Sequence, residues 1–275
     1  AVLPAGSCTL GSVSAFASLS LEPWVVATPG LRPRLAERVL GFERDALRWY
    51  DPTRCSSERF LDQLERIDEL TFGPLGLRMP RWAFYDCAEL PGALFGFGAS
   101  RAHLPESVRA RLPDAEPFMP ISMCMATPMV RPDEWLTFSI SSLLDLEPGP
   151  DAVSLGVETL ALTLAALRPR RVHGTMQWRS PSLPVHARFA PLEVRAAWVP
   201  AHTHPATCVF AFDVDEGLIE RALSRPDLTT SRGTIVDPED VAGLEELQRR
   251  IEGGGSLRLL GATPSSLACV AWGDP

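Results

Sequence analysis

The sequence predicts an α+β fold with a mixed, largely antiparallel sheet, flanking helices and added terminal elements. Short apolar runs separated by Pro- and Gly-containing turns indicate many strands. Other segments carry apolar residues at helical spacing. The stretch 135–199 reads as strand, helix, strand, short helix and strand, which indicates one βαβ-like crossing in the sheet.

Composition limits the class of protein. The chain has 275 residues, 45% of them hydrophobic, which is enough to bury a substantial core. Its net charge of −8 gives no basic face that could displace counterions, so we expect no nucleic-acid partner. All 26 basic residues are Arg, and Asn is absent as well. Since Lys and Asn share A-rich codons, their joint absence indicates a bacterial protein from a GC-rich genome.

The cysteines and the apolar runs predict a cytoplasmic protein. Six cysteines are scattered without a Cys-x-x-Cys pair, which favours reduced, mostly buried thiols. No apolar run reaches the roughly 18 residues of a membrane span, so we expect no membrane partner. The first six residues lack the basic segment of a secretory signal.

The N-terminal half predicts alternating strands and helices. Strands are expected at 13–21 and 24–27, then a helix over 33–50 and a second helix from Ser57, with Ser56 or Ser57 as its N-cap. A hairpin is expected from 82–86 and 93–99, joined by the turn 89–92. Residues 101–117 should form a surface loop or short helix, and 121–130 and 135–143 two further strands.

The C-terminal half continues this pattern. The predicted helices are 154–167, 180–189 (short), 217–223 and one beginning at Asp237 as N-cap and ending at Gly253; the predicted strands are 171–178, 193–199, 207–214, 257–260 and 267–272. We expect a single globular unit over 1–275, with a core at about 34–214 and an accessory lobe from 1–33 and 215–275. The sequence indicates no particular oligomeric state.

Three segments carry a resemblance to a known family. The strand 90–97, with the sequence Leu-Pro-Gly-Ala-Leu-Phe-Gly-Phe, precedes the apolar helix 153–167, and the short segment Ser180–Phe189 follows. In this order they resemble the GCN5-related N-acetyltransferases (GNAT), over roughly residues 34–214. The resemblance implies a GNAT-like fold, an acyl-CoA cofactor whose pyrophosphate lies at the start of the apolar helix, and transfer of an acyl group to an amine.

The loop before that helix departs from the family pattern. The family uses a Gln/Arg-x-x-Gly-x-Gly/Ala turn, whose small residues let the phosphate approach backbone N–H groups. Here the matching positions are Asp151, Ser154 and Gly156, so only the last is glycine. Asp145, Glu147 and Glu158 add negative charge nearby. We therefore favour no cofactor, with acetyl-CoA or another acyl-CoA as the alternative.

The catalytic residues that the family implies are also sparse. Many members use a Tyr on the short helix as the acid, whereas the two tyrosines of this chain, Tyr50 and Tyr85, lie far upstream. His186 falls within one residue of that Tyr position and is the candidate acid or base. Asp133 or Glu134 could precede a strand that bears a general base, although acids in a turn are usually only solvated.

The strand 171–178 offers a ligand surface. His173, Thr175 and Gln177 alternate with apolar residues and should form a polar row on one face. If neighbouring strands diverge there, unpaired backbone groups could take up an extended peptide by strand addition. Trp178 and Arg179 are of the types that dominate binding hot spots, and Gly156 completes the candidate ligand-binding set.

One group of residues has the spacing of metal ligands. His202 and His204 would share one face of a strand, but Pro200 and Pro205 bracket them and no third ligand is evident. We therefore favour no metal. Taken together, the sequence predicts a GNAT-like protein with a degenerate acyl-CoA loop that binds a peptide or protein partner, as an accessory protein in a peptide natural-product pathway. The alternatives are an active CoA-dependent N-acyltransferase with His186 as acid or base, and a metal-dependent hydrolase centred on His202 and His204.

Overall fold

A computed structural model describes residues 20–89, 92–112, 117–144, 154–224, 233–262 and 268–273. The chain divides into two compact units, one of residues 1–128 and 139–168 and the other of residues 129–138 and 169–275. Helices and mainly antiparallel strands occur in both, which confirms the predicted α+β class with a largely antiparallel sheet. The accessory lobe proposed from the sequence stays a prediction.

The first unit is built around the buried strand β5. Its strands are β1 (Glu22–Val26), β2 (Arg38–Val39), β3 (Phe42–Glu43), β4 (Arg48–Tyr50), β5 (Ala93–Ser100), β6 (Phe118–Pro120) and β7 (Ser122–Pro128); its helices are α1 (Glu58–Phe72), α2 (Arg81–Glu89), α3 (Glu106–Arg109) and α4 (Leu155–Leu167). Strand β1 lies between β4, to which it is parallel, and β5, to which it is antiparallel. Strands β6 and β7 pair with β5.

Two predicted elements of the first unit are wrong. Residues 33–50 form no long helix, because Leu40 and Gly41 take positive φ values of 49° and 89° and turn the chain into the hairpin β2–β3. The predicted strand 82–86 is helical and lies in α2. The five residues 82–86 are too few for their period to be assigned, so tertiary packing decided the outcome there.

The other predicted elements of the first unit are largely found. Strand 93–99 and the helices from Ser57 and Ser154 form as expected. The Ser57 side chain makes no capping hydrogen bond, whereas Ser154 accepts one from the N–H of Val157. The predicted strand 13–21 and the turn 89–92 fall wholly or partly outside the described residues.

The second unit has one parallel strand pair among its described strands. Its elements are β8 (Glu134–Ser142), β9 (Arg171–Gln177), α5 (Leu183–Ala187), β10 (Leu192–Ala196), β11 (Thr207–Asp213), α6 (Leu218–Ser224), β12 (Thr234–Ile235), α7 (Val241–Glu252), β13 (Leu257–Ala262) and β14 (Ala268–Trp272). Residues 139–142 of β8 belong to the first unit. The strand order is β8-β9-β11-β10-β13-β14-β12, with β8 parallel to β9 and the other pairs antiparallel.

This arrangement confirms the predicted series of strand, helix, strand, short helix and strand on which the resemblance was based. One boundary in the second unit was predicted wrongly, because α7 begins at Val241 and its N-cap is Asp240 instead of Asp237. The Asp240 carboxylate accepts a hydrogen bond from Gly243 N–H at 3.0 Å, while Asp237 accepts one from the N–H of Glu239 in the preceding turn.

The two faces of the second unit's sheet differ in character. Val172, Gly174, Met176 and Phe210 are buried, whereas the intervening residues of β9 are partly or fully exposed. Gly174 is required by packing, since a Cβ atom there would lie 2.3 Å from the Phe210 ring. The glycine therefore lets the aromatic ring pack closely against the strand on which the candidate site is built.

We predict that Gly174→Ala destabilises the protein by about 1–3 kcal/mol through overpacking against Phe210. Urea unfolding would measure the loss. The double variant Gly174→Ala/Phe210→Leu should recover part of it, and Gly30→Ala, where a Cβ meets nothing within 4 Å, should change stability little. Equal losses for the two single glycine variants would contradict this assignment.

Candidate binding edge on strand β9

The predicted polar row on β9 is present. His173 and Gln177 are partly exposed and Thr175 is exposed, while Met176 between the last two is buried. Strand pleating places successive side chains on opposite faces, so these three polar residues share one face. The structure therefore brings together the central part of the predicted ligand-binding set.

A buried carboxylate holds the start of this row. Glu134, on β8, is 5% exposed, and its Oε2 lies 3.0 Å from Nε2 of His173. Its Oε1 accepts a hydrogen bond of 2.8 Å from Nη2 of Arg170. Two cationic or hydrogen-bonding partners offset the cost of burying this carboxylate. Glu134, which the sequence indicated only as an acid beside a turn, thus links β8 to β9.

Backbone contacts reinforce the same end of the strand pair. The carbonyl oxygen of Asp133 accepts hydrogen bonds from the N–H groups of Arg170, at 2.7 Å, and Arg171, at 3.3 Å. The hydroxyl of Thr137 lies 3.5 Å from the carbonyl oxygen of His173. The first half of β9 is therefore fixed to β8 by both main-chain and side-chain contacts.

The pairing stops before β9 ends. Its register runs from Glu134 opposite Arg171 to Thr137 opposite Gly174, yet β9 continues for three residues, to Gln177. On its other side β9 stays paired with β11 as far as Gln177 opposite Thr207. Residues 175–177 therefore have a ladder partner on the β11 side and none in β8.

The direction of the backbone groups follows from two hydrogen bonds. Arg171 N–H donates toward the β8 side, to Asp133, and Trp178 N–H donates toward the β11 side, to the carbonyl of Ala206 at 3.5 Å. Backbone groups of alternate residues in a strand point to opposite sides. Those of Thr175 and Gln177 therefore point to the side where the pairing with β8 has ended.

The Gln177 side chain joins a second polar group. Its Nε2 donates to Oγ1 of Thr207 at 2.7 Å, and that hydroxyl donates to the carbonyl of His204 at 2.5 Å. Nδ1 of His202 accepts the N–H of His204 at 2.9 Å. The two histidines lie in a turn with ring centroids 6.2 Å apart, and within the described residues no three His, Cys, Asp or Glu side chains form a metal-binding group. Their arrangement is that of a hydrogen-bonded loop.

Trp178 and Arg179 lie at the end of β9 and contribute differently. Trp178 is 1% exposed, and its indole N–H donates to the carbonyl of Ala197 at 2.9 Å. It is therefore a core side chain that anchors the end of β9. Arg179 is exposed and forms an ion pair of 2.9 Å with Glu239, which is also exposed.

His186, the candidate acid or base, lies in the core. It is 3% exposed, its ring contacts Phe210 with centroids 4.8 Å apart, and its Nδ1 is buried without a hydrogen-bond partner. Burial lowers the pKa of His186 to about 4. The imidazole is therefore neutral at physiological pH and packs as an apolar ring.

Gly156 and the start of α4 belong to the first unit. Gly156 is the second residue of the helix, two positions after the N-cap Ser154, whose hydroxyl already accepts a main-chain N–H. Glu158, in the first helical turn, is a buried acid. An acid complements the positive end of a helix dipole, which reduces its attraction for a phosphate. Asp145, Glu147 and Asp151 fall outside the described residues.

Sequence reasoning missed two participants, Arg170 and Thr137. Arg170 lies in the turn before β9 and Thr137 in a strand that reads as apolar, so neither stands out from its neighbours. One signal could have indicated the contacts of Glu134. An Arg lies directly before the strand that begins with Arg171, and an acid begins the preceding strand, which was predicted to run parallel to it.

The chain has little similarity to known proteins. No protein-family model and no curated protein matches the chain. It is similar to a solved structure, the crystal structure of Arabidopsis thaliana NAA60 in complex with a bisubstrate analogue, with 11% sequence identity and a TM-score of 0.37 over 56% of this chain and 95% of that chain. At that TM-score no inference about this protein rests on the likeness. In the described residues, no helix is long and apolar enough to cross a membrane.

We predict that Glu134→Ala lowers the free energy of unfolding by about 1–2 kcal/mol, because His173 and Arg170 lose their shared acceptor while the exposed Arg170 can rehydrate. The matched control is Glu239→Ala, which removes an ion pair between two exposed side chains and should cost less than about 0.5 kcal/mol. Urea unfolding of both variants checks the difference, and equal costs would contradict a structural role for Glu134.

We also predict that His186 makes the protein less stable as pH falls. An unfolded-state pKa near 6.5 and a folded-state pKa of about 4 mean that the unfolded chain binds the proton first. The resulting stability is complete above about pH 6.5 and decreases toward pH 4, by about 2–3 kcal/mol at pH 4.5. His186→Gln should lose this part of the pH dependence. An NMR titration in which His186 protonates between pH 6 and 7 would contradict it.

Proposed function

We propose that this protein binds an extended segment of a peptide or partner protein along the unpaired part of β9. The observation that supports this proposal is the early end of the β8–β9 ladder, after which β9 continues for three residues without a ladder partner in β8. Extended peptides commonly bind to such edges through main-chain hydrogen bonds, with specificity from alternate side chains.

The side chains around this edge suit a peptide in the extended conformation. Thr175 and Gln177 expose hydroxyl and amide groups on one face, and His173 lies farther along the same row. The opposite face, with Met176, is apolar. An added strand would therefore place alternate residues in polar and apolar surroundings, as a strand within the sheet does.

His186 and the start of α4 favour an accessory binding protein over an acyltransferase. Acyl transfer of the GNAT kind needs a basic or amide-lined pyrophosphate loop and an ionisable acid, and the His186 imidazole is neutral and enclosed in the core. The start of α4 already has a capping hydroxyl and a buried acid. We place the protein, as an accessory component, in peptide natural-product biosynthesis, a setting drawn from its composition alone.

Two substitutions at one position test the proposal. Gln177→Pro removes the N–H that points to the open side, where no ladder hydrogen bond is lost, while Gln177→Ala keeps this N–H and removes only the side chain. The probe is a capped hexapeptide of alternating Thr and Val, titrated into ¹⁵N-labelled protein. We expect it to shift the Gln177 amide resonance, to bind the Ala variant, and to lose most of its affinity for the Pro variant.

Circular dichroism should show that both variants are folded. No shift at Gln177, or equal affinity of the two variants, would exclude the β9 edge as the binding site. Coenzyme A is titrated in parallel, and micromolar affinity for it would favour the N-acyltransferase alternative over the binding protein.

A further inference from the structure

The number of free backbone groups on the β9 edge limits what it can bind. In a parallel ladder, the pair Thr137–Gly174 is bridged through the carbonyl of His173 and the N–H of Thr175. The Thr175 N–H is therefore already donated to Thr137. Since no residue of β8 pairs with Thr175, the Thr175 carbonyl lies beyond the end of the ladder.

The other end of the edge is closed by a turn. The carbonyl of Gln177 accepts the N–H of Ser180 at 2.9 Å, and the chain then turns into α5. The Gln177 carbonyl is therefore occupied. Its N–H points toward the β8 side, where Gln177 has no ladder partner in β8. Within the described residues, the edge offers one acceptor, the Thr175 carbonyl, and one donor, the Gln177 N–H.

The acceptor lies before Met176 and the donor after it. Together they can pair with the two amide groups that flank one ligand residue. In a parallel arrangement, the ligand residue opposite Met176 would use its own N–H and carbonyl; in an antiparallel one, the residues before and after it would supply one group each. In both cases, the side chain of the central residue projects on the same face as Met176, which is 6% exposed and apolar.

We propose that the ligand of this edge is a short extended segment in which a single apolar residue, opposite Met176, is recognised through its flanking amides. This inference rests on the proposed function and specifies its ligand. The residues before and after the apolar one lie on the face of Thr175 and Gln177, so they are polar. A long strand gains no further main-chain hydrogen bonds here, because both ends of the edge are already occupied.

The length of the ligand is tested with capped peptides and the unmodified protein. Acetyl-Thr-Val-Thr-amide should bind within about threefold of the alternating hexapeptide, since it already contains the residue and both amides that the edge can pair. Acetyl-Thr-Asp-Thr-amide should bind at least about tenfold more weakly, because its central carboxylate would be desolvated on the Met176 face.

The hydrogen-bond pattern is tested by N-methylation of the tripeptide. Methylating the second residue, for parallel binding, or the third residue, for antiparallel binding, should weaken binding about tenfold through loss of the donor to Thr175. The matched control is the residue whose N–H points away from β9, which is the third residue for parallel binding and the second for antiparallel binding. Its methylation should change affinity less than about twofold.

If the hexapeptide binds in a way that depends on Gln177 while the tripeptide binds more than tenfold more weakly, the proposal of a single-residue ligand is overturned. That result would leave the proposed function standing. Weakening by N-methylation of both the second and the third residue, or of neither, would also overturn the single-residue ligand. Absence of any peptide binding at Gln177 would instead refute the proposed function itself, so the two failures are distinguishable.

Discussion

The short parallel pairing between β8 and β9 determines what the second unit can offer a ligand. Glu134 secures the start of this pairing by accepting from His173 and Arg170. Parallel ladders have slanted, less favourable hydrogen bonds than antiparallel ones, so side-chain contacts at one end matter for where the pairing holds. These contacts lie before Gly174, and the last three residues of β9 are paired with β11 but have no ladder partner in β8.

In each unit, burial shifts the pKa of an acid or imidazole side chain, with opposite consequences for stability. Burial raises the pKa of Asp68, in the first unit, to about 6, so the folded state binds that proton more readily and stability falls as pH rises from about 4 to 6. His186, in the second unit, has a lowered pKa and destabilises the protein as pH falls. Desolvation is the main cause of both pKa shifts, so neither shift indicates a catalytic group.

Much of the fold could be predicted from the sequence because periodicity reports burial directly. The apolar helix α4 and the alternating strand β9 were predicted to within a residue. Residues 33–50 and 82–86 were not, because a turn at Leu40 and Gly41 interrupts the first segment and the second is too short for its period to be assigned. For the site, the polar row of His173, Thr175 and Gln177 was predictable, whereas the core position of His186 was not.

The sequence by itself determined which side chains of β9 share a face, since strand pleating depends only on local backbone geometry. It also determined where α4 begins, because Ser154 supplies the capping oxygen locally. Only the tertiary structure decided that β8 stops pairing at Thr137 and that Glu134 lies against His173. Register and strand length are properties of two segments distant in the chain, so no single segment encodes where their hydrogen bonds end.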